Sequence, residues 1–139
     1  MIIFRKLLVI ALLLMVWPAN AFGSDGIIVV KIEGAINPVV AEFVANEIRS
    51  ANTSSEELIV IRMDTPGGLD TSMRKIIKAI QSSKIPVASF VSPGGSRAAS
   101  AGTFITIASH IAAMELGTNI GAAHPVNLMG GGRGGQAKV

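Results

Sequence analysis

Ser100 lies in a stretch of small residues, "SPGGSRAASAGT", which spans residues 92–103. The apolar pattern that follows predicts that this serine begins a short helix. A serine nucleophile on a sharp turn needs small neighbours, because bulky ones would block the carbonyl that it attacks. Serine is also a preferred N-cap residue of helices. The sequence therefore leaves two interpretations open at this position, a nucleophile and a helix cap.

A second glycine-bearing loop is "DTPGG", at residues 64–68. Its glycines lack side chains, so their N–H groups can approach a ligand closely. If this loop lies beside Ser100, the N–H groups of Gly68 and Ala101 can stabilise an oxyanion, and Gly67 is expected to contact the substrate. An ordinary strand-to-helix turn is the alternative explanation for so short a motif.

A serine nucleophile also needs a base. His110 falls between a predicted helix and a predicted strand, which favours a structural role, whereas His124 in "GAAHPV" can face the cleft. A neutral lysine can serve instead if burial lowers its pKa by about 3 units from about 10.4. Lys138 is the only lysine after the serine and is the candidate. We also expect Gly95 and His124 to contact the substrate.

The elements that must position these loops alternate along the chain. Short β-branched runs predict strands, and apolar residues at helical spacing predict helices between them. The predicted strands are 27–32, 58–63, 85–91 and 110–115, and the predicted helices begin at Pro38, near Met73 and at Ser100. Such alternation predicts an α/β fold, a parallel sheet with helices packed on it. Because ligands bind at the carboxyl ends of the strands in such sheets, both glycine-bearing loops are expected at one edge.

The composition limits the classes of function. The 139 residues suit one domain, and the absence of cysteine excludes disulfides and thiolate metal sites. The 12 Lys and Arg residues exceed the 9 Asp and Glu residues by three, which gives a net charge of +3. Basic and aromatic residues do not cluster, so a nucleic-acid partner is not expected. No metal or other cofactor is predicted.

The N-terminal residues have the three-part pattern of a secretory signal peptide. Arg5 and Lys6 precede an apolar run at 7–17, and Ala19 to Ala21 supply small residues for cleavage. The run is about half of the roughly 20 residues that a transmembrane helix needs. We expect cleavage after Ala21, export across the cytoplasmic membrane, and a mature domain at 22–139 whose net charge is about +1 because two basic residues of the +3 total are removed. An uncleaved anchor is the alternative.

Three blocks of the sequence together carry a family resemblance. They are "MDTPGGLDTSMRKIIKAI", "PVASFVSPGGSRAASAGTFI" and "IAAMELGTNIGAAHPV". In combination they resemble the N-terminal protease domain of the NfeD family, membrane-associated serine proteases that are often encoded beside stomatin-like proteins. The resemblance covers residues 27–139 and implies a fold similar to ClpP and the crotonases.

The resemblance implies a role for each candidate residue. Ser100 is the implied nucleophile, Gly68 and Ala101 are the implied oxyanion donors, and Lys138 is the implied base, where family members have a lysine after a variable loop. The family also implies a longer protein with membrane-spanning helices, so residues 22–139 are interpreted as a C-terminally truncated protease domain. The implied substrates are hydrophobic segments of membrane-associated, stomatin-like proteins, and related proteases form homo-oligomers.

Two other functions remain open from the sequence. A crotonase-like acyl-CoA enzyme would use the same oxyanion hole, but the export signal argues against it because CoA is cytoplasmic. A truncated and inactive chain would bind a peptide or another partner without turnover. If Ser100 is not the nucleophile, Ser96 is the first residue to test, and a serine-directed probe separates these possibilities.

Overall fold

A computed structural model describes residues 26–122, in which strands and helices alternate. The elements in chain order are β1 (Gly26–Glu33), α1 (Pro38–Ala51), β2 (Glu56–Asp64), α2 (Asp70–Gln81), β3 (Val87–Val91), β4 (Arg97–Ala99), α3 (Ala101–Ala108), β5 (Ile111–Met114) and β6 (Asn119–Gly121). The four strands and three helices predicted from the sequence are all present. Strand β3 begins later than predicted, after Pro86, which has no N–H to donate to a ladder.

The main sheet is parallel and has the strand order β1-β2-β3-β5. Each crossover between neighbouring strands contains a helix, and crossovers of this kind are right-handed in nearly all proteins. Since the strands follow one another in a single direction across the sheet, the same handedness places all three helices on one face. The α/β fold with a parallel sheet and packed helices is confirmed.

The helix-covered face of the sheet carries the core. Side chains alternate between the two faces of a strand, and Val30, Ile61 and Ser89, which are neighbours in register on the covered face, are at most 2% exposed. Apolar side chains from the three helices cover this face of the sheet and are themselves buried. Those buried helix residues are Ala41, Val44, Ala45, Ile48, Ala51, Met73, Ile76, Ala79, Ile80, Ala101 and Ile105.

The opposite face of the sheet is apolar but open. Ile27 and Val29 on β1 are 61% and 56% exposed, and Ile111 on β5 is 51% exposed. Parallel sheets are ordinarily covered on both faces. Within residues 26–122, no element shields these three side chains from solvent.

A second, smaller sheet joins β4 to β6 in parallel. Both strands differ from the sequence prediction, which has a loop at Arg97–Ala99 and no strand at Asn119–Gly121. Strands of three residues are too short to show a periodic pattern. Their pairing also joins residues that are far apart in the chain, which local sequence does not report.

None of the helices formed by residues 26–122 has the length and apolar character needed to cross a membrane. The predicted signal peptide, 1–21, with its cleavage point after Ala21, lies outside the described residues.

Candidate active site

Ser100 occupies a strained turn between β4 and α3. Its backbone has φ 51° and ψ −114°, a conformation that non-glycine residues rarely adopt. Its side chain makes no capping hydrogen bond to the helix, so the interpretation of this serine as a plain helix cap is wrong. Its backbone N–H donates to the carbonyl of Gly121 on β6 at 3.0 Å, which ties the turn to the small sheet.

The Asp64–Gly68 loop is held by backbone hydrogen bonds from two sides. On one side, the N–H of Ile36 donates to the carbonyl of Gly67 at 2.8 Å, and the carbonyl of Ile36 accepts from Leu69 at 2.9 Å. On the other side, the N–H of Thr65 donates to the carbonyl of Arg97 on β4 at 2.7 Å. The loop therefore lies between the end of β1 and the strand that leads to the candidate nucleophile.

The two glycine-bearing loops predicted to share one edge meet at Gly67 and Ser100. A Cβ built on Gly67 would lie 2.7 Å from the Cβ of Ser100 and 3.2 Å from its Oγ. Gly67 also has φ 111°, which strongly favours glycine. This close approach is the feature that glycine provides here, because any side chain would fill the space beside the hydroxyl.

Gly68 has its N–H directed away from the β1 side of the loop. The parallel bridge between Ile36 and Gly68 uses the backbone groups of Gly67 and Leu69, not those of Gly68 itself. No hydrogen bond from the Gly68 N–H is formed within residues 26–122. Ala101, as the first residue of α3, has no intrahelical acceptor for its N–H. The loops thus carry two donors of the type that an oxyanion hole requires.

Ser100 is half-buried, and its hydroxyl is not engaged in capping the helix that follows. His110 is not a candidate base, because its Nδ1 accepts from the N–H of Val87 at 3.1 Å, at the start of β3. Helix α3, about 12 Å long at 1.5 Å per residue, separates His110 from Ser100. The other base candidates, His124 and Lys138, lie outside the described residues.

The neighbouring loop at residues 92–96 is folded back on the chain. The N–H of Gly95 donates to the carbonyl of Gly117 at 3.1 Å, and Gly95 has φ 87° with open space where a side chain would be. Ser96 is 5% exposed and its carbonyl accepts from the N–H of Asn119 at 3.1 Å. Ser96 is therefore less accessible than Ser100 to a substrate.

The charged side chains that form ion pairs lie on α1 and α2. Glu42 pairs with Arg49 and Lys75, and Asp70 pairs with Arg74 at 2.8 Å and raises the pKa of that guanidinium. Among residues 26–122, histidine and carboxylate side chains form no group able to hold a metal ion.

Sequence reasoning missed two contributors to this geometry. Gly121 on β6 accepts the hydrogen bond from Ser100, and Thr65, in the loop at 64–68, is fully buried where that loop pairs with β4. A threonine two residues before a glycine in a turn is a recognisable signal, because its hydroxyl often bonds the backbone two residues on. No comparable signal marks Gly121.

The comparisons with known proteins agree with this architecture. The family model described as "NfeD1b, N-terminal domain" matches residues 26–138. The membrane-bound protease PH1510 of Pyrococcus horikoshii is 38% identical over 122 residues, which are 88% of this chain and 28% of that protein.

Solved structures show that the similarity to this chain includes the fold. A lysine-to-alanine mutant of the 1510-N membrane-bound stomatin-specific protease, in complex with a substrate peptide, matches with TM-score 0.69 and 43% identity over 72% of this chain and 46% of that one. A ClpP1 mutant from Listeria monocytogenes matches with TM-score 0.54 and 30% identity over 58% of this chain and 46% of that one. The chain spans about half the length of these solved chains and 28% of PH1510.

Proposed function

The chain belongs to the family of NfeD1b N-terminal domains, and on this premise we propose that it is a serine peptidase that cleaves apolar polypeptide segments. One observation carries the proposal. Ser100, in a strained turn, is packed against Gly67, which has no side chain, and the N–H of the following residue, Gly68, donates to no acceptor within residues 26–122. A serine that only caps a helix needs neither the strained turn nor the contact with Gly67. A serine that becomes acylated needs an accessible hydroxyl with N–H donors close to it.

The proposed mechanism is acyl transfer through Ser100. Its Oγ attacks the scissile carbonyl, and the N–H groups of Gly68 and Ala101 stabilise the negative oxygen that develops. Losing one such donor typically costs about 3 kcal/mol of transition-state stabilisation. The scissile C–N bond then breaks, and the amine product leaves with the proton that the base took from Ser100. Water attacks the acyl-enzyme ester, which releases the carboxylic acid product and restores the Ser100 hydroxyl.

Lys138 is the proposed base that takes the proton from Ser100. To be neutral near pH 7 its pKa must fall by about 3 units, which requires a difference of about 4 kcal/mol between its two protonation states. The substrate-peptide complex of the 1510-N relative was obtained with a lysine-to-alanine mutant, and another structure of that protease is a serine-to-alanine mutant. These mutants support a serine and lysine pair here. His124 is the alternative base.

The proposed substrate is a hydrophobic segment of a membrane-associated, stomatin-like protein. The 1510-N relative is named as specific for stomatin, and PH1510 as membrane-bound. Apolar side chains next to the catalytic groups support this choice. Leu69 follows Gly68 and is 43% exposed, and Phe104 lies one helical turn after Ser100 and is 40% exposed.

We also propose that the protein is exported and acts at the extracytoplasmic face of the membrane. The N-terminal pattern of Arg5, Lys6 and the following apolar run supports export. Fusing residues 1–30 to a reporter enzyme that is active only outside the cytoplasm tests it. Reporter activity that persists when the apolar run is deleted would contradict the proposal.

The open face of the sheet supports self-association. Burying Ile27, Val29 and Ile111 against a second copy would remove apolar surface from water. Sedimentation velocity of Val29→Glu tests it, with Lys78→Glu on an exposed helix surface as the matched control. A shift to monomer in the first variant alone supports the proposal, and an unchanged assembly refutes it.

A fluorophosphonate probe tests the peptidase function directly. We expect labelling of the native protein, none of Ser100→Ala, and unchanged labelling of Ser96→Ala, since Ser96 is buried. Lys138→Ala should lower the labelling rate much more than His124→Ala. Labelling that survives in Ser100→Ala would contradict the proposal, and a native protein that binds peptide without labelling would favour the binding function.

A further inference from the structure

We infer that Thr65 is a positioning residue for the oxyanion hole, which it holds in place through Gly67. The inference rests on the proposed peptidase function. Thr65 is fully buried, so its side chain touches no substrate. It belongs to the loop that carries the proposed oxyanion donor Gly68, and its backbone pairs with β4, which leads to the turn that carries Ser100.

The hydroxyl of Thr65 fixes both backbone groups of Gly67. Its Oγ1 accepts from the Gly67 N–H at 3.0 Å and donates to the Gly67 carbonyl at 3.2 Å. A threonine hydroxyl has one proton to donate and lone pairs to accept with, and both functions are used on the same residue. The orientation of the peptide unit between Gly67 and Gly68 sets the direction of the Gly68 N–H, so Thr65 constrains that donor.

The methyl group of Thr65 contacts the helix that Ser100 begins. A Cβ built on Gly102 would lie 2.6 Å from the Thr65 Cγ2, which shows how closely the methyl approaches the first turn of α3. The backbone of Thr65 is also paired with β4, since its carbonyl accepts from the N–H of Ala99 at 3.0 Å. The side chain of Thr65 thus contacts both the backbone of Gly67 and the first turn of α3.

The hydroxyl and the methyl group of Thr65 can be removed separately, and we expect loss of the hydroxyl to affect the Gly68 N–H. Without the hydroxyl, the Gly67 carbonyl keeps only its bond from the Ile36 N–H and the Gly67 N–H loses its acceptor. The peptide between Gly67 and Gly68 can then tilt and turn the Gly68 N–H out of line with the developing oxyanion. Loss of an entire donor costs about 100- to 1000-fold in rate, and misplacement by about 1 Å costs about 100-fold. A constraint that acts one residue away should therefore be worth about 10- to 100-fold in the acylation rate.

Two matched pairs of proteins isolate the hydroxyl. Native Thr65 and Thr65→Val have the same shape, and Thr65→Ser and Thr65→Ala both lack the methyl. Within each pair only the hydroxyl differs. If the valine variant fails to fold, the serine and alanine pair makes the same comparison.

The experiment measures fluorophosphonate labelling of Ser100 as a function of probe concentration, together with amide hydrogen exchange at Gly67 by NMR. We expect Thr65→Val to lower the maximal labelling rate about 10- to 100-fold, with the half-saturating probe concentration within about threefold of native. Thr65→Ala should fall below Thr65→Ser by a similar factor. A merely structural role would lower all the variants according to their stability and would not separate the members of a pair.

Two results overturn the inference. The first is equal maximal labelling rates within both pairs. The second is unchanged exchange at the Gly67 N–H in Thr65→Val, where loss of its acceptor should accelerate exchange at least tenfold. If native Ser100 is not labelled at all, the proposed peptidase function fails, and the exchange measurement then decides by itself whether Thr65 holds the loop.

Discussion

Replacing Gly67 with alanine tests whether the two glycine-bearing loops must touch. The substitution adds a single methyl group at a residue with φ 111°. That methyl would lie 2.7 Å from the Cβ of Ser100 and 3.1 Å from the carbonyl oxygen of Ala99. Neither neighbour is the far end of a flexible side chain, so the backbone of one loop has to move.

The expected cost has two parts. A non-glycine residue held at a disfavoured positive φ costs about 1–3 kcal/mol, and overpacking a tight contact costs about 1–3 kcal/mol more. A total near 3 kcal/mol lowers Tm by about 12–24 °C in a domain of this size, at about 4–8 °C per kcal/mol. The displacement also moves Ser100 away from the proposed donor Gly68, so labelling by a fluorophosphonate should be lost.

Gly34→Ala is the matched control. Gly34 has φ 85° but nothing within 4 Å of the position of an added Cβ, so this variant carries the strain without the contact. We expect it to lose about 1–3 kcal/mol of stability and to keep native labelling of Ser100. Thermal unfolding by circular dichroism and the labelling rate are measured on both variants. Equal losses of stability, together with native labelling of Gly67→Ala, would refute the reasoning.

The remaining predictions concern the packing around the site. Gly102→Ala should destabilise the protein, because its methyl would overlap the side chain of Thr65, and Thr65→Ser should recover part of that loss in the double variant; additive losses in thermal unfolding would contradict this contact. His110→Ala should remove the acceptor of the Val87 N–H, cost about 1 kcal/mol, and leave serine labelling unchanged; a loss of labelling at native stability would instead give this histidine a catalytic role. Ile61→Ala, at a fully buried position in the main sheet, should cost about 2–5 kcal/mol in denaturant unfolding, and a loss below about 1 kcal/mol would contradict the described core.

The local sequence was sufficient for the elements of the main sheet. The β-branched run at 27–32 and the apolar run at 58–63 became β1 and β2, and Pro38 opens α1 with Asn37 as its cap, whose Oδ1 accepts from the Val40 N–H at 3.0 Å. These predictions are correct because propensity, capping and periodicity act over a few neighbouring residues. The alternation of the elements then determined the parallel sheet and the edge at which both glycine-bearing loops would lie.

The contacts that make those loops a candidate site are decided only by the tertiary structure. The sequence left Ser100 open as a nucleophile or a helix cap. The structure excludes the cap because the side chain makes no capping hydrogen bond, and the N–H of Ser100 is bonded to Gly121 on β6. The bonds from Thr65 to Gly67 have a local signal in the sequence, but its contact with Gly102, which lies beyond β3, does not. Local patterns fix which residues form each element, whereas hydrogen bonds and contacts between distant segments fix where a hydroxyl and an amide face each other.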